Sequence, residues 1–193
     1  SGLFAVSAVW PDTLHHDLRV KLDPAQAQIS VSDHIQLPAD SPERLEFSLH
    51  SNLVVATQDA ELETVGGSDH NQFRHYRLSK LPKDRKITLN YHGIMATDKV
   101  QDQFGMPEYV LSQDDVYLDS ASAWFPQFKA YPWLTFNLQV EAPSDWEMIS
   151  QGRRERLKGA FRFTMPHPQD EIYLLGGPFS RYQQMQDDIE LVV

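Results

Sequence analysis

Apolar side chains recur at every second position in segment after segment of this chain, a period that places alternate residues on opposite faces of an extended strand. Leu18, Val20 and Leu22 alternate with Arg19 and Lys21, and Ile29, Val31, Ile35 and Leu37 alternate with Gln28, Ser30, His34 and Gln36. The pattern returns at Leu45–Leu49, Ile87–Tyr91, Leu134–Val140 and Phe161–Met165. Turn chemistry separates the runs: Asp23-Pro24, Leu37-Pro38, Gly66-Gly67, Leu81-Pro82, Ala142-Pro143-Ser144-Asp145, Lys158-Gly159 and Pro166-His167-Pro168. No segment carries the apolar stripe of a helix. The pattern therefore predicts an all-β chain, an antiparallel β-sandwich.

A chain of 193 residues is long enough to bury a sizeable core without cross-links and has room for one domain or two small ones. It contains no cysteine, which removes disulfides, thiolate metal sites and thiol nucleophiles from consideration. The formal net charge of -10 has the wrong sign for gripping a polyphosphate backbone or an anionic membrane surface, so nucleic acid is not an expected partner. No run approaches the roughly 18 apolar residues of a membrane-spanning helix.

The first eight residues form a short apolar run ending in Val6-Ser7-Ala8, small residues of the kind an export-signal cleavage site takes. Residues 1–14 are expected to be a residual signal or tag with a lead-in, and 15–193 a single β-sandwich domain. The alternatives for the run are a cloning remnant or an apolar first strand. An export signal implies a periplasmic or secreted protein; the alternative is cytoplasmic. The apolar, strand-like end Ile189-Glu190-Leu191-Val192-Val193 suggests a fragment of a longer protein. Two stretches break the rhythm: 93–114, long and polar with Gly105-Met106-Pro107, and 122–133, dense in aromatics and prolines.

Eight histidines raise the question of a metal. His15-His16-Asp17 offers three ligand types in a row, but strand neighbours point to opposite faces, and the triplet reads as a solvated strand start. His70 and His75 diverge across a turn and a strand. No H-E-x-x-H is present, and no metal site is expected in this chain. Asp114, Asp115 and Asp119 read either as a solvated loop or as acceptors for a cation or ligand amine. No G-x-S-x-G elbow exposes a nucleophilic serine, and Gly176-Gly177 before Pro178 reads as a turn. Trp10, Trp124, Trp133 and Trp146 serve either as packing or as a stacking platform for sugars or a partner.

Taken in order, the strands resemble the N-terminal domain of the aminopeptidase N family of zinc metallopeptidases, the gluzincin aminopeptidases. His16-Asp17-Leu18-Arg19-Val20-Lys21-Leu22-Asp23-Pro24 is similar to the family's first strand. Ile29–Ile35 resembles its I-x-V-x-x-x-I strand, Leu45–His50 its L-x-F-x-L-H, and Ile87–Gly93 its L-x-I-x-Y-x-G. Trp124-Phe125-Pro126-Gln127-Phe128 with Thr135-Phe136-Asn137-Leu138 is similar to its F-P-C-F-D-E-P … A-x-F-x-L region. Pro143–Gly152 resembles its P-x-x-x-x-x-S-N-G hairpin, and Ile172–Phe179 its closing strand. Lys129-Ala130-Tyr131-Pro132 stands where the family has Asp-Glu-Pro, which marks a divergent, bacterial-type branch.

The resemblance implies a saddle-like N-terminal domain that packs on a following catalytic domain of the same polypeptide. That absent domain would hold the zinc and the catalytic residues; this chain would hold neither and would wall the cleft for a peptide substrate. The segment Asp119–Tyr131 is expected to face the catalytic domain, with Asp119, Ser120, Trp124, Phe125, Pro126 and Gln127 as candidate cleft or interdomain contacts. The reading from a different class is a free-standing β-sandwich module that binds carbohydrate or protein through its tryptophans.

Overall fold

The computed structural model describes residues 13–67, 72–95, 109–179, 183–186 and 189–192. The export-signal run, Trp10, His70, Gly105-Met106-Pro107 and the last residue lie outside them. In chain order the strands are β1 Leu14–Asp23, β2 Gln28–Gln36, β3 Leu45–His50, β4 Val54–Ala56, β5 Glu61–Gly66, β6 Phe73–Ser79 and β7 Lys86–Ile94. There follow β8 Val110–Leu111, β9 Val116–Leu118, β10 Gln127–Phe128, β11 Leu134–Glu141 and β12 Glu147–Ile149. The last five are β13 Arg153–Leu157, β14 Ala160–Gln169, β15 Leu174–Gly177, β16 Gln183–Gln186 and β17 Ile189–Val192.

One seven-stranded sheet, β13-β14-β11-β1-β2-β7-β4, spans the molecule, with four-stranded sheets β10-β3-β6-β5 and β12-β15-β9-β8 and the small pair β16-β17. The architecture is all-β and sandwich-like, as the alternation predicts. Among the described residues the pairings are antiparallel with one exception: β1 runs parallel to β11, from Leu14 opposite Leu134 to Lys21 opposite Glu141.

The inward positions of the large sheet supply Leu18, Val20 and Leu22, Ile29, Val31 and Ile35, Ile87 and Leu89, Phe136, Leu138 and Val140, and Phe161 and Phe163. These join Phe47, Leu49 and Leu78 of one small sheet and Val116, Leu118, Met148 and Leu174 of the other in a single buried cluster. Each such side chain contributes about 1.5–3 kcal/mol when fully buried. Phe47 stacks on Tyr76 and tilts against Phe128, both at 5.3 Å between centroids. The outward positions of β1, β2 and β7 include Asp17, Arg19, Lys21, Ser30, Ser32, His34, Thr88, Asn90 and His92, a polar face that is interrupted at one edge by the exposed Ile94 of β7 and Val54 of β4.

Three turn expectations are corrected. Gly176-Gly177 lies in β15, because β15 needs residues without side chains: a Cβ on Gly176 would come within 2.4 Å of the Met148 sulfur. Pro166-His167-Pro168 lies in β14; β13 pairs only as far as Thr164, and the β11 register shifts here, so these prolines forfeit no ladder hydrogen bond. Pro143–Gly152 is no hairpin, since β12 pairs with β15 while β13 pairs with β14. The chain changes sheet at Ser150–Gly152 instead.

Gly152 makes that corner at φ +88, with Thr164 O only 2.3 Å from where a Cβ would sit. Gly159, in the β13–β14 turn at φ +78, has nothing within 4 Å. Gly152→Ala is therefore expected to destabilise by more than about 2 kcal/mol, from clash plus backbone strain, and Gly159→Ala by only about 1 kcal/mol. Urea denaturation of the two variants tests this; equal losses would refute the packing at the corner.

Candidate functional site

The site grows out of the segment between β9 and β11. Asp119 ends β9 in an extended conformation and its side chain accepts from the Ser122 amide at 3.3 Å, capping a 3-10 turn over Ser120–Ser122. Ala123 leaves that turn at φ 47, which turns the chain inward and drives Trp124 and Phe125 into the core. The Trp124 indole donates to Ile172 O at 2.9 Å, and its ring meets Phe125 edge-on at 5.5 Å. Gln127 then returns as the start of β10, opposite Ser48 of β3, and its amide donates to Ser120 O.

Around this turn stands a group of carboxylates. Glu171 accepts from Ser120 Oγ at 3.0 Å and from the Ser120 amide at 3.3 Å. The Tyr117 hydroxyl donates to Asp119 Oδ2 at 3.0 Å. That hydrogen bond, followed by partial burial and the charges of Asp119 and Glu171, raises the Tyr117 pKa. Beside the turn lies a cavity of about 340 Å³, with Ser120, Phe125, Pro126 and Gln127 among its lining residues and His16 of β1 on another side.

Of the six residues singled out from sequence, four therefore line one cavity. Trp124 is wholly buried behind them, and Asp119 serves as the cap. Trp146 is also a core residue, whereas Trp133 is 52% exposed; two of the four indoles are thus committed to packing. Asp114 and Asp115 sit on the β8–β9 turn, where Ser112 Oγ donates to the Asp115 carboxylate.

His16 overturns the expectation of a solvated strand start. Its side chain and that of Asp33 are both 0% exposed, with Nδ1 2.7 Å from Asp33 Oδ2. His16 falls in phase with Leu14 and Leu18, and Asp33 in phase with Val31 and Ile35, so both must point into the core. Beyond that bond, His16 Nε2, Asp33 Oδ1 and the Tyr91 hydroxyl are buried without a protein partner. Burial and the Asp33 charge push the Tyr91 pKa well above its usual value.

A second buried histidine was also not foreseen. His50 Nδ1 accepts from the Asn52 amide at 3.1 Å, so the ring proton sits on Nε2 and is directed at the Tyr109 hydroxyl at 3.0 Å. Burial pushes the His50 pKa from 6.5 down to about 4. Elsewhere His34 Nδ1 pairs with Thr88, His75 Nδ1 with Ser48 and His15 Nδ1 with Thr135. Among the described residues no group of three His, Asp or Glu converges as a metal set.

Comparison with solved structures places this arrangement in a known fold. An aminopeptidase N family protein from Idiomarina loihiensis superposes at TM-score 0.59 and 13% identity, over 93% of this chain and 32% of that one. Leukotriene A4 hydrolase from Saccharomyces cerevisiae gives 0.56 and 15%, over 90% and 30%. An M1 zinc metallopeptidase from Deinococcus radiodurans gives 0.61 and 15%, over 90% and 44%. This chain therefore has the fold of one portion of those proteins and spans less than half of their length. No protein-family model and no curated protein matches the sequence.

Two measurements test the buried groups. A histidine whose pKa falls on folding stabilises fully above 6.5 and loses that contribution as the pH drops toward about 4, because the unfolded chain takes up the proton first. Stability is expected to rise with pH across that window, by at most about 1.4 kcal/mol per unit from this group, and His50→Gln is expected to flatten the rise in denaturant titrations. Separately, Asp33→Leu, which strands His16 in the core, is expected to cost about 3–5 kcal/mol, while His16→Leu and Asp33→Leu together cost far less than the sum of the two singles. Additive losses in that double-mutant cycle would show that the two side chains are not coupled.

Proposed function

We propose that this chain is the non-catalytic N-terminal β-domain of an aminopeptidase-like zinc metallopeptidase. It packs on a separate catalytic domain of the same polypeptide and walls that domain's peptide-substrate cleft with the Asp119–Tyr131 segment. The observation that carries the proposal is the superposition of at least 90% of this chain on 32–44% of longer proteins described as aminopeptidase N family or M1 zinc metallopeptidase. The cleft wall is argued from the turn at Ser120: its cap, its Glu171 contact and its Gln127 contact hold polar and apolar groups on one rigid surface beside a cavity.

In this reading the zinc and the groups that activate water belong to the catalytic domain, and this chain contributes shape and contacts. We also propose a periplasmic or secreted location, for which the apolar opening run ending in Val6-Ser7-Ala8 is the support. The alternative of a tryptophan-based carbohydrate module is disfavoured by Trp124 and Trp146, whose rings are buried.

The test is the gene downstream of Val193 together with its product. An H-E-x-x-H is expected within about 150 residues, one domain length. The longer polypeptide is expected to bind one zinc and release aminoacyl groups from aminoacyl-p-nitroanilides, and the 193-residue chain to do neither. Stoichiometric zinc or hydrolysis by the short chain, or a stop codon after Val193, would overturn the proposal.

A further inference from the structure

The outer face of the β12-β15-β9-β8 sheet carries an apolar row where a solvated sheet should be polar; beside the row, Glu147 opposite Gly177 pairs with Arg154 and Arg156. Inward alternation takes Met148, Leu174, Val116, Leu118 and Leu111 to the core, which leaves Ile149, Leu175, Tyr117 and Val110 pointing outward. These four are in register: Ile149 is opposite Leu175, Leu175 opposite Tyr117, and Tyr117 opposite Val110. They make one cross-strand row over the full width of the sheet. In the next outward position Gly177 has no side chain, and the Phe179 ring covers it: a Cβ there would lie 2.7 Å from Phe179 Cζ.

Antiparallel sheets with one solvated face alternate apolar inward with polar outward, and the large sheet of this molecule does so except at Val54 and Ile94 near one edge. The small sheet departs from that rule. Ile149 is 44%, Tyr117 41% and Phe179 53% exposed, and these are three of the six exposed large hydrophobics among the described residues. Clustering of this kind on one face marks a contact surface, whereas scattered exposed apolar residues do not. One end of the patch is acidic, two residues beyond Tyr117 along the chain, since the Tyr117 hydroxyl donates to Asp119 and the Glu171 charge acts on the same tyrosine.

We infer that this row, with Phe179, is the surface on which the catalytic domain of the same polypeptide docks, an inference that rests on the function proposed above and assigns its interface. The occupant is argued from length: the three solved chains compared above are matched over only 30–44% of themselves and so carry further polypeptide beside this fold. The acidic end calls for a partner surface that is apolar opposite Ile149 and Leu175 and bears Lys, Arg or amide donors opposite Asp119 and Glu171. Ridges of this width supply the dehydrated centre of an interface, and the carboxylates its polar rim.

Hydroxyl-radical footprinting of the 193-residue chain and of the longer polypeptide tests the assignment. Labelling of Tyr117 and Phe179 is expected to fall several-fold in the longer polypeptide, while Val54 and Ile94, exposed on the large sheet, label alike in both. Ile149→Glu is expected to leave the melting temperature of the short chain unchanged and to lower that of the longer one by several degrees. If a zinc-binding downstream domain is present but Tyr117 and Phe179 label equally in both forms, the docking face is wrong and the proposed function stands. If the short chain sediments as a dimer that Ile149→Glu disperses, a second copy is the occupant and the assignment is overturned. If no downstream domain exists, the function fails first and the interface with it.

Discussion

The pairing of β1 with two unlike neighbours is the constraint on which the rest of the structure depends. On one side β1 meets β2 antiparallel, a local connection through the Pro24–Gln26 turn. On the other it meets β11 parallel, more than a hundred residues later in the chain. A parallel pair cannot be joined by a tight turn, so everything between β2 and β11 is the crossover. The side chains secure this seam from the outward face, where His15 Nδ1 lies 2.8 Å from Thr135 Oγ1 and Asn137 Nδ2 lies 3.3 Å from His15 Nε2. Burial there, with the neighbouring His16, lowers the His15 pKa and favours the neutral ring that such bonds use.

The same seam positions the candidate site. Residues 119–133 are the last part of the crossover before β11, so once Leu134 is set opposite Leu14 the preceding turn has to return across the end of β1. That return brings Phe125 edge-on to His16, with centroids 5.9 Å apart. Phe125 and Trp124 act as the anchors, and Ser120 and Gln127 remain at the surface because the anchors on either side of them are buried. The rigidity of this segment is thus a consequence of core packing at two of its residues.

Period-two alternation made β1, β2, β3, β7, β11 and β14 legible, because each has one buried face and enough length to show it. Strands such as β8, β9, β10 and β12 have two or three residues, too few for a period, and are held by neighbours distant in sequence. The prolines and glycines of β14 and β15 read as turns because local chemistry carries no information about which ladder hydrogen bonds are already forfeited. Much of the site was legible through the clustering of aromatics and prolines at 122–133. His16 and Asp33 were legible as well: each occupies an inward position of an otherwise apolar period, and a polar residue in that phase has to be buried with a partner. Reading residue type ahead of phase concealed them. Glu171 and Tyr117 left no such signal, since their roles arise from contacts with Ser120 and Asp119.

The polar residues that remain inside the sandwich bear on how the domain is specified. A wholly apolar inward face on β1 and β2 would accept a two-residue slip between them at little cost, since alternation alone repeats every second position. His16 and Asp33 break that degeneracy. A slip would separate the imidazole from the carboxylate and leave both buried and unpaired, a penalty of several kcal/mol. The hydrogen bond at 2.7 Å therefore selects one register out of those the apolar pattern permits. Since the β1 register sets β11 as well, it also selects where the Ser120 turn stands over the end of the sheet. A pair that adds little net stability can in this way decide the geometry of the surface that stands above it.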